Sequence, residues 1–268
     1  MKILVPTDFS ENANNALSFA KKISTGRKDV QITLLFAYYA VYDFAAHAIE
    51  IVETIESDSK KAMQKAVEQA KNEGIFIDYQ IVQGTVATAV TSKAYREDYT
   101  LIVMGTQGAS GIKKNLIGSN TAHVIKDSQV PVLAIPAKSK LATIKEIIVG
   151  LELDGKEKPF LKKLVGLTSS LGLNYHFFNL KLTEENEGVS SLNEFQENFK
   201  NEFPDIIFNA EQRSAKSVLD GISEQLNEKP DSMLVMFYKK KSFFEYMFNA
   251  SDSIAMAYHS SVPLLVLK

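Results

Sequence analysis

Three glycines and two polar residues stand together near the middle of the chain, in the stretch LIVMGTQGASGIKKNLIGSN at positions 101–120: Gly105, Gly108, Gly118, Ser119 and Asn120. Glycine lets backbone approach a ligand closely, and the first turn of a helix presents unpaired N–H groups at the positive end of its dipole. Phosphate suits such a place. A second polar group follows the apolar run at the N-terminus, where Val5-Pro6-Thr7-Asp8 sets a carboxylate just past a strand. There it can accept hydrogen bonds from a sugar or a base amine. Plainer readings stay open: Asp8 or Ser10 as the cap of the next helix, Ser119 as the cap of its own, and the glycines as turns or packing points.

The elements that must position these residues follow from the pattern. Lys2 to Val5 and Leu101 to Met104 are uninterrupted apolar runs, which predict strands covered on both faces. Ala13, Ala16, Leu17, Ala20 and Ile23 recur at helical spacing after Ser10, with Lys21 and Lys22 late and Gly26 beyond. Further strands are predicted over Ile32 to Ala37, Ile75 to Val82 and from Val130 past Pro131. Helices are predicted over Ile49 to Asn72, Val86 to Arg96 and onward from Ser119, and Gly74 ends the first of these. Alternating strands and helices predict an α/β doubly wound parallel sheet. The aromatic run YYAVYDF at 38–44 either walls a pocket or covers a core edge.

Composition removes several classes of function. The chain has 268 residues, 45% hydrophobic and 23% charged, with a net charge of -2, which gives no electrostatic reason to expect nucleic acid as a partner. Cysteine is absent, and His47, His123, His176 and His259 lack metal-ligand spacing, so thiolate and metal chemistry are disfavoured. No stretch approaches the ~20 apolar residues of a membrane span and MKILVPTDF is too short for a signal peptide, so the expectation is a cytoplasmic protein with no membrane role.

The spacing Gly105, two residues, Gly108, nine residues, Gly118-Ser119, after a strand ending in Met104, resembles the ATP-binding subgroup of the universal stress protein family. Val5-Pro6-Thr7-Asp8 is similar to that family's first strand end, and Val130-Pro131-Val132-Leu133 to its closing strand. The resemblance covers the first half of the chain. It implies that Pro6, Thr7 and Asp8 contact adenosine, that Ala37 lies by the base, and that Met104, Gly105, Gly108, Gly118, Ser119 and Asn120 hold ribose and phosphates. Ala37 departs from the valine that the family often has. The implied cofactor is ATP or another adenine nucleotide, with magnesium as an optional companion, and the implied role is a stress-response sensor or regulator with a protein partner left unnamed. Lys113 and Lys114 add charge on the phosphate side or simply lie in a solvated loop.

The second half repeats the first. Ile147 echoes Ile3 at an offset of 147 − 3 = 144, while Val262-Pro263-Leu264-Leu265 echoes Val130-Pro131-Val132-Leu133 at 262 − 130 = 132. The missing 144 − 132 = 12 residues are expected to come from the stretch after the second strand of this copy, residues 174–179. Two tandem domains result, 1–137 and 144–268, each a five-stranded parallel sheet of order 3-2-1-4-5, joined through a polar linker. At offset 132, Gly105 faces Phe237, Gly108 faces Lys240, Gly118 faces Ala250 and Ser119 faces Ser251; at 144, Asp8 faces Glu152 and Pro6 faces Gly150. Every glycine of the cradle is replaced, so the second copy is expected not to bind ATP. Lys239 to Phe248 either plugs its vacant crevice or forms an exposed patch.

Members of the family usually dimerise through their last strands, which in a tandem chain implies pairing of residues 130–135 with 262–267. No catalytic residue is assigned. The loop lacks the Gly-Lys-Ser/Thr of a Walker motif, no Ser-His-Asp or Cys-His set is discernible, and His123 reads as a helix-face residue. Slow ATP hydrolysis stays open. The remaining alternatives are a nucleotide-free protein-interaction module and an enzyme of the wider adenine-nucleotide alpha hydrolase class, whose histidine-bearing and PP-loop signatures are missing.

Overall fold

The computed structural model describes residues 1–39, 48–107, 117–182, 192–238 and 262–268. They form two compact units, residues 1–137 and residues from 138 onward. In the first unit the elements are β1 (Lys2–Pro6), α1 (Glu11–Ser24), β2 (Gln31–Tyr38), α2 (Ala48–Asn72), β3 (Ile77–Gln83), α3 (Val86–Arg96), β4 (Leu101–Gly105), α4 (Ser119–Asp127) and β5 (Val132–Ile135). Every pairing is parallel, in the order β3-β2-β1-β4-β5. Ile3, Leu4, Ile102 and Val103 are completely buried, each contributing roughly 1.5–3 kcal/mol, because the strands carry helices on both faces.

The strand order turns back between β1 and β4, and in open α/β sheets ligands bind outside the carboxyl ends of the strands at such a point. Pro6 is level with Leu35 of β2 on one side, while Ile3 and Leu4 pair with Leu101 and Ile102 of β4 on the other. The chain leaving Pro6 therefore enters the space between the ends of β2 and β4. It continues into α1, whose first turn is capped by Ser10: the hydroxyl accepts from the Ala13 N–H at 3.2 Å. The inner face of α1 is built from Ala13, Ala16 and Ala20, all buried, and such small side chains let the helix lie close on the sheet.

The second unit contains β6 (Glu146–Leu151), α5 (Lys158–Thr168), β7 (Asn174–Leu182), α6 (Leu192–Glu202), β8 (Phe208–Ala215), α7 (Val218–Glu228), β9 (Ser232–Phe237) and β10 (Leu264–Leu267). Its pairings are also parallel, in the order β8-β7-β6-β9-β10. Register carries the repeat into three dimensions. Ile3 faces Leu101 and Ile147 faces Met233, giving the offsets 147 − 3 = 144 and 233 − 101 = 132. From the start of β2 to the start of β3 is 77 − 31 = 46 residues, and from β7 to β8 it is 208 − 174 = 34, so the twelve missing residues fall in this crossover. Helix α6 has 11 residues where α2 has 25, a loss of about four turns. The short helix is anchored by rings: Phe177 of β7 meets Phe195 and Phe199 of α6 at centroid distances of 5.0 and 4.7 Å.

A polar cluster joins β7, β8 and α7. Glu211 of β8 receives Nε2 of His176 at 3.0 Å, Nε2 of Gln225 at 2.8 Å and Nε of Arg213 at 2.6 Å. Burial by itself pushes this carboxyl up, but the donors Gln225, Arg213 and His176 outweigh it and hold the carboxyl below its ordinary value near 4.5. A lowered folded-state value means that Glu211 contributes stability above about pH 4.5, lost as pH falls through the folded value. Glu211→Gln is therefore expected to lower the urea midpoint at pH 7 and to flatten the acid limb between pH 5 and 3. Parallel acid limbs in the two proteins would contradict the assignment.

Candidate functional site

The candidate site lies at the carboxyl ends of β1, β2 and β4. Pro6 is buried at the end of β1, and the Thr7 N–H goes to the Leu35 carbonyl at 2.9 Å, extending the β1–β2 edge by one residue. The Thr7 hydroxyl accepts from the Phe9 N–H at 3.0 Å, and the Asp8 carboxylate accepts from the Ser10 N–H at 3.1 Å. The capping alternatives thus separate: Ser10 caps α1, and Asp8 stands exposed at the mouth with one oxygen on local backbone.

Phe9, between them, has φ 62, a left-handed conformation that a bulky residue adopts only under constraint. Its ring packs on Phe36 at 5.1 Å, and Phe36 stacks on Tyr38 at 6.3 Å. In the second unit the matching residue, 9 + 144 = 153, is Leu153, with φ 54. The strained turn recurs where the glycine cradle does not, so it belongs to the fold's strand-to-helix corner and not to ligand binding.

Ala37 is half-buried in β2, two residues past Leu35 and opposite Val82 of β3. Beside it the Tyr38 hydroxyl donates to the Glu56 carboxylate of α2, and Tyr39 is 70% exposed. Of the aromatic run only these two tyrosines belong to the described residues; positions 40–44 lie outside them.

At the end of β4, Met104 is buried opposite Ala134 of β5. Gly105 has an internal reason to be glycine. A Cβ there would lie 2.6 Å from Nδ2 and 2.8 Å from Cγ of Asn12, which α1 presses onto β4. The next three carbonyls are each held from a different place. Gly105 accepts from the Thr121 hydroxyl of α4 at 2.8 Å, Thr106 from the Gly118 N–H at 2.5 Å, and Gln107 from Nδ2 of Asn12 at 3.0 Å. The bond from Gly118 brings the two ends of the β4–α4 connection together, and a Cβ on Gly118 would stand 3.0 Å from the Thr106 oxygen.

Gly118 is also the N-cap of α4, which corrects the capping alternative for Ser119: Ser119 is the first residue within the helix, and among the described residues no side chain caps that first turn. Ser119 and Asn120 are exposed there. The first-turn N–H groups and the positive end of the helix dipole are the part of the site suited to an anion. His123 is exposed further along α4. Gly108, Lys113 and Lys114 lie outside the described residues.

The counterpart of Gly105 in the second unit is a buried ring. Phe237 stands where Gly105 does, is 5% exposed, and stacks on Phe160 at 5.1 Å with the rings 19° apart. Met236 closes on Gly150, the counterpart of Pro6, with Sδ 3.3 Å from where a Cβ would be. Glu152 is exposed as Asp8 is, while positions 240, 250 and 251 and the basic, aromatic stretch from Lys239 to Phe248 lie outside the described residues.

Of the residues expected at the site, Pro6, Thr7, Asp8, Met104, Gly105, Gly118, Ser119 and Asn120 lie along the ends of β1 and β4 and the start of α4, an edge whose backbone is held by Asn12, Thr106 and Thr121, which the pattern did not single out. Asn12 carried a readable signal. It stands four residues before Ala16 and eight before Ala20, on the inner face of α1, where a buried amide has to find a partner. Among the described residues there is no group of metal-ligating side chains and no helix long and apolar enough to cross a membrane.

The family model described as the universal stress protein family matches residues 1–136. Universal stress protein MJ0531 of Methanocaldococcus jannaschii is 27% identical over 143 residues, covering 52% of this chain and 84% of that protein. Universal stress protein MJ0577 of the same organism is 29% identical over 156 residues, covering 52% of this chain and 96% of that protein. Among solved structures, a universal stress protein from Archaeoglobus fulgidus matches 100% of this chain and 98% of its own with a TM-score of 0.74 at 19% identity, a likeness of fold.

Proposed function

This chain belongs to the universal stress protein family, and we propose that its first unit binds one adenine nucleotide, ATP as first choice, while its second unit binds none. The observation that carries this reading is the first turn of α4, whose N-cap Gly118 offers no side chain, joined through Gly118 to Thr106 at the switch point of the sheet. Pro6, Thr7 and Asp8 take the adenosine end, with the Asp8 carboxylate accepting from a hydroxyl or amine, and Ala37 lies by the base. Met104, Gly105, Gly108, Gly118, Ser119 and Asn120 take ribose and phosphates. The residues present fit the group, since the helix start supplies donors and the Asp8 carboxylate stands exposed at the same end of the sheet. Magnesium, where present, would be carried by the phosphates. Without an assigned base or nucleophile, the nucleotide acts as a signal and the protein as a stress-response regulator of a protein partner.

The pairing of the two domains through their last strands belongs to the same proposal. β5 and β10 each end the strand order of their own unit, with every side chain buried, and an apolar edge left bare is a template for aggregation.

The test is isothermal titration of ATP with magnesium, beside a mass spectrum of any nucleotide carried through purification. The expected result is one site per chain. In Gly118→Val the affinity should fall about tenfold or more, because the added side chain crowds the Thr106 carbonyl. No binding and no carried nucleotide would transfer the reading to a nucleotide-free interaction module.

A further inference from the structure

We infer that Asn12 is a positioning residue for the nucleotide site, coupling its adenosine side to its phosphate side; the inference rests on the reading just proposed. Asn12 lies in the first turn of α1, immediately after the Thr7 to Ser10 corner, and is 6% exposed. Its Nδ2 donates to the Gln107 carbonyl at 3.0 Å, across 95 positions of sequence. The carbonyls of Gly105 and Thr106 are held by α4 and its N-cap, whereas that of Gln107 is held by α1. Asn12 thus ties the corner bearing Asp8 to the connection leading into the α4 N-terminus.

Two further observations mark the residue. The Oδ1 of Asn12 is buried with no hydrogen-bond partner among the described residues. A buried amide oxygen left unsatisfied in this way is unfavourable for the fold by itself, so the residue is held here for what its Nδ2 does. Asn12 and Gly105 are also a matched pair, because the amide occupies the space that a Cβ on residue 105 would need. Both members change together in the second unit, where Lys156 stands at 12 + 144 = 156 and Phe237 replaces the glycine.

The experiment measures ATP and adenosine affinities of the full chain for wild type, Asn12→Ala and Asn12→Asp, with amide exchange of Gln107 and Gly118 in the free proteins. Removing the tie should weaken ATP about tenfold while adenosine stays within about twofold, the loss expected of one well-placed hydrogen bond. Asn12→Asp keeps the shape, removes the donor and adds a negative charge, so it should weaken ATP further. Exchange at Gln107 and Gly118 should rise in both variants. Unchanged ATP affinity, or equal losses of ATP and adenosine, would overturn the inference. Binding of neither ligand by wild type would defeat the nucleotide reading and the inference with it, whereas a wild type that binds ATP beside variants with unchanged ATP affinity would overturn the inference alone.

Discussion

Gly105→Val should destabilise the first unit by about 3 kcal/mol, from overpacking of roughly 1–3 kcal/mol and the loss of the Asn12 to Gln107 bond. The argument is geometric. A Cβ on residue 105 falls 2.6 Å from Nδ2 and 3.2 Å from the backbone carbon of Asn12, so either the amide swings out of its buried place or α1 lifts from β4. Moving the amide breaks its bond to Gln107, and lifting the helix exposes Ala13, Ala16 and Ala20. The matching measurement is chemical unfolding with amide exchange resolved on β4 and α1, because a chain with two units need not unfold in one step. The clash predicts coupling: Gly105→Ala combined with Asn12→Ala should cost less than the sum of the two separately. Strict additivity would show that the close contact is not what requires glycine.

Phe237→Ala should cost the second unit about 3–5 kcal/mol, the range for deleting a buried ring and leaving a cavity. Phe237 is 5% exposed and stacked on Phe160, so its neighbours lose contacts that water cannot replace. Unfolding of the β9 amides would report the loss, and a destabilisation below about 1 kcal/mol would mean that the crevice collapses freely. The same variant probes the silent site. Removing the ring supplies space but not the cradle, since Lys240 and Ala250 stand where the first unit has Gly108 and Gly118. ATP titration of Phe237→Ala should still give one site per chain, and a second site would show that ring bulk alone had silenced this unit.

Much of this was legible along the chain because it depends on local pattern. Apolar runs gave β1 and β4, the period of small residues gave α1, and the predicted helix over Val86 to Arg96 coincides with α3. The repeat was readable too, since both offsets survive in the strand register, and the twelve missing residues fall between β7 and β8 because a crossover helix can lose turns without disturbing the strands it joins. Boundaries were less legible: the strand expected from Ile75 begins at Ile77, since its start is fixed by pairing with Ile32.

The sequence by itself determined which residue types gather at the carboxyl edge of the first sheet: a carboxylate after β1, glycines after β4, and a helix start at Ser119. Only the tertiary structure decided what several of them do. Ser10, not Asp8, caps α1, and Gly118, not Ser119, caps α4, because a cap is chosen by backbone geometry that neighbouring candidates share in composition. Gly105 and Gly118 read as ligand-approach glycines, yet each already answers a contact within the protein, with Asn12 and with the Thr106 carbonyl. Asn12 meets Gln107 across 95 positions, and contacts of that kind exist only once α1 has been laid over β4.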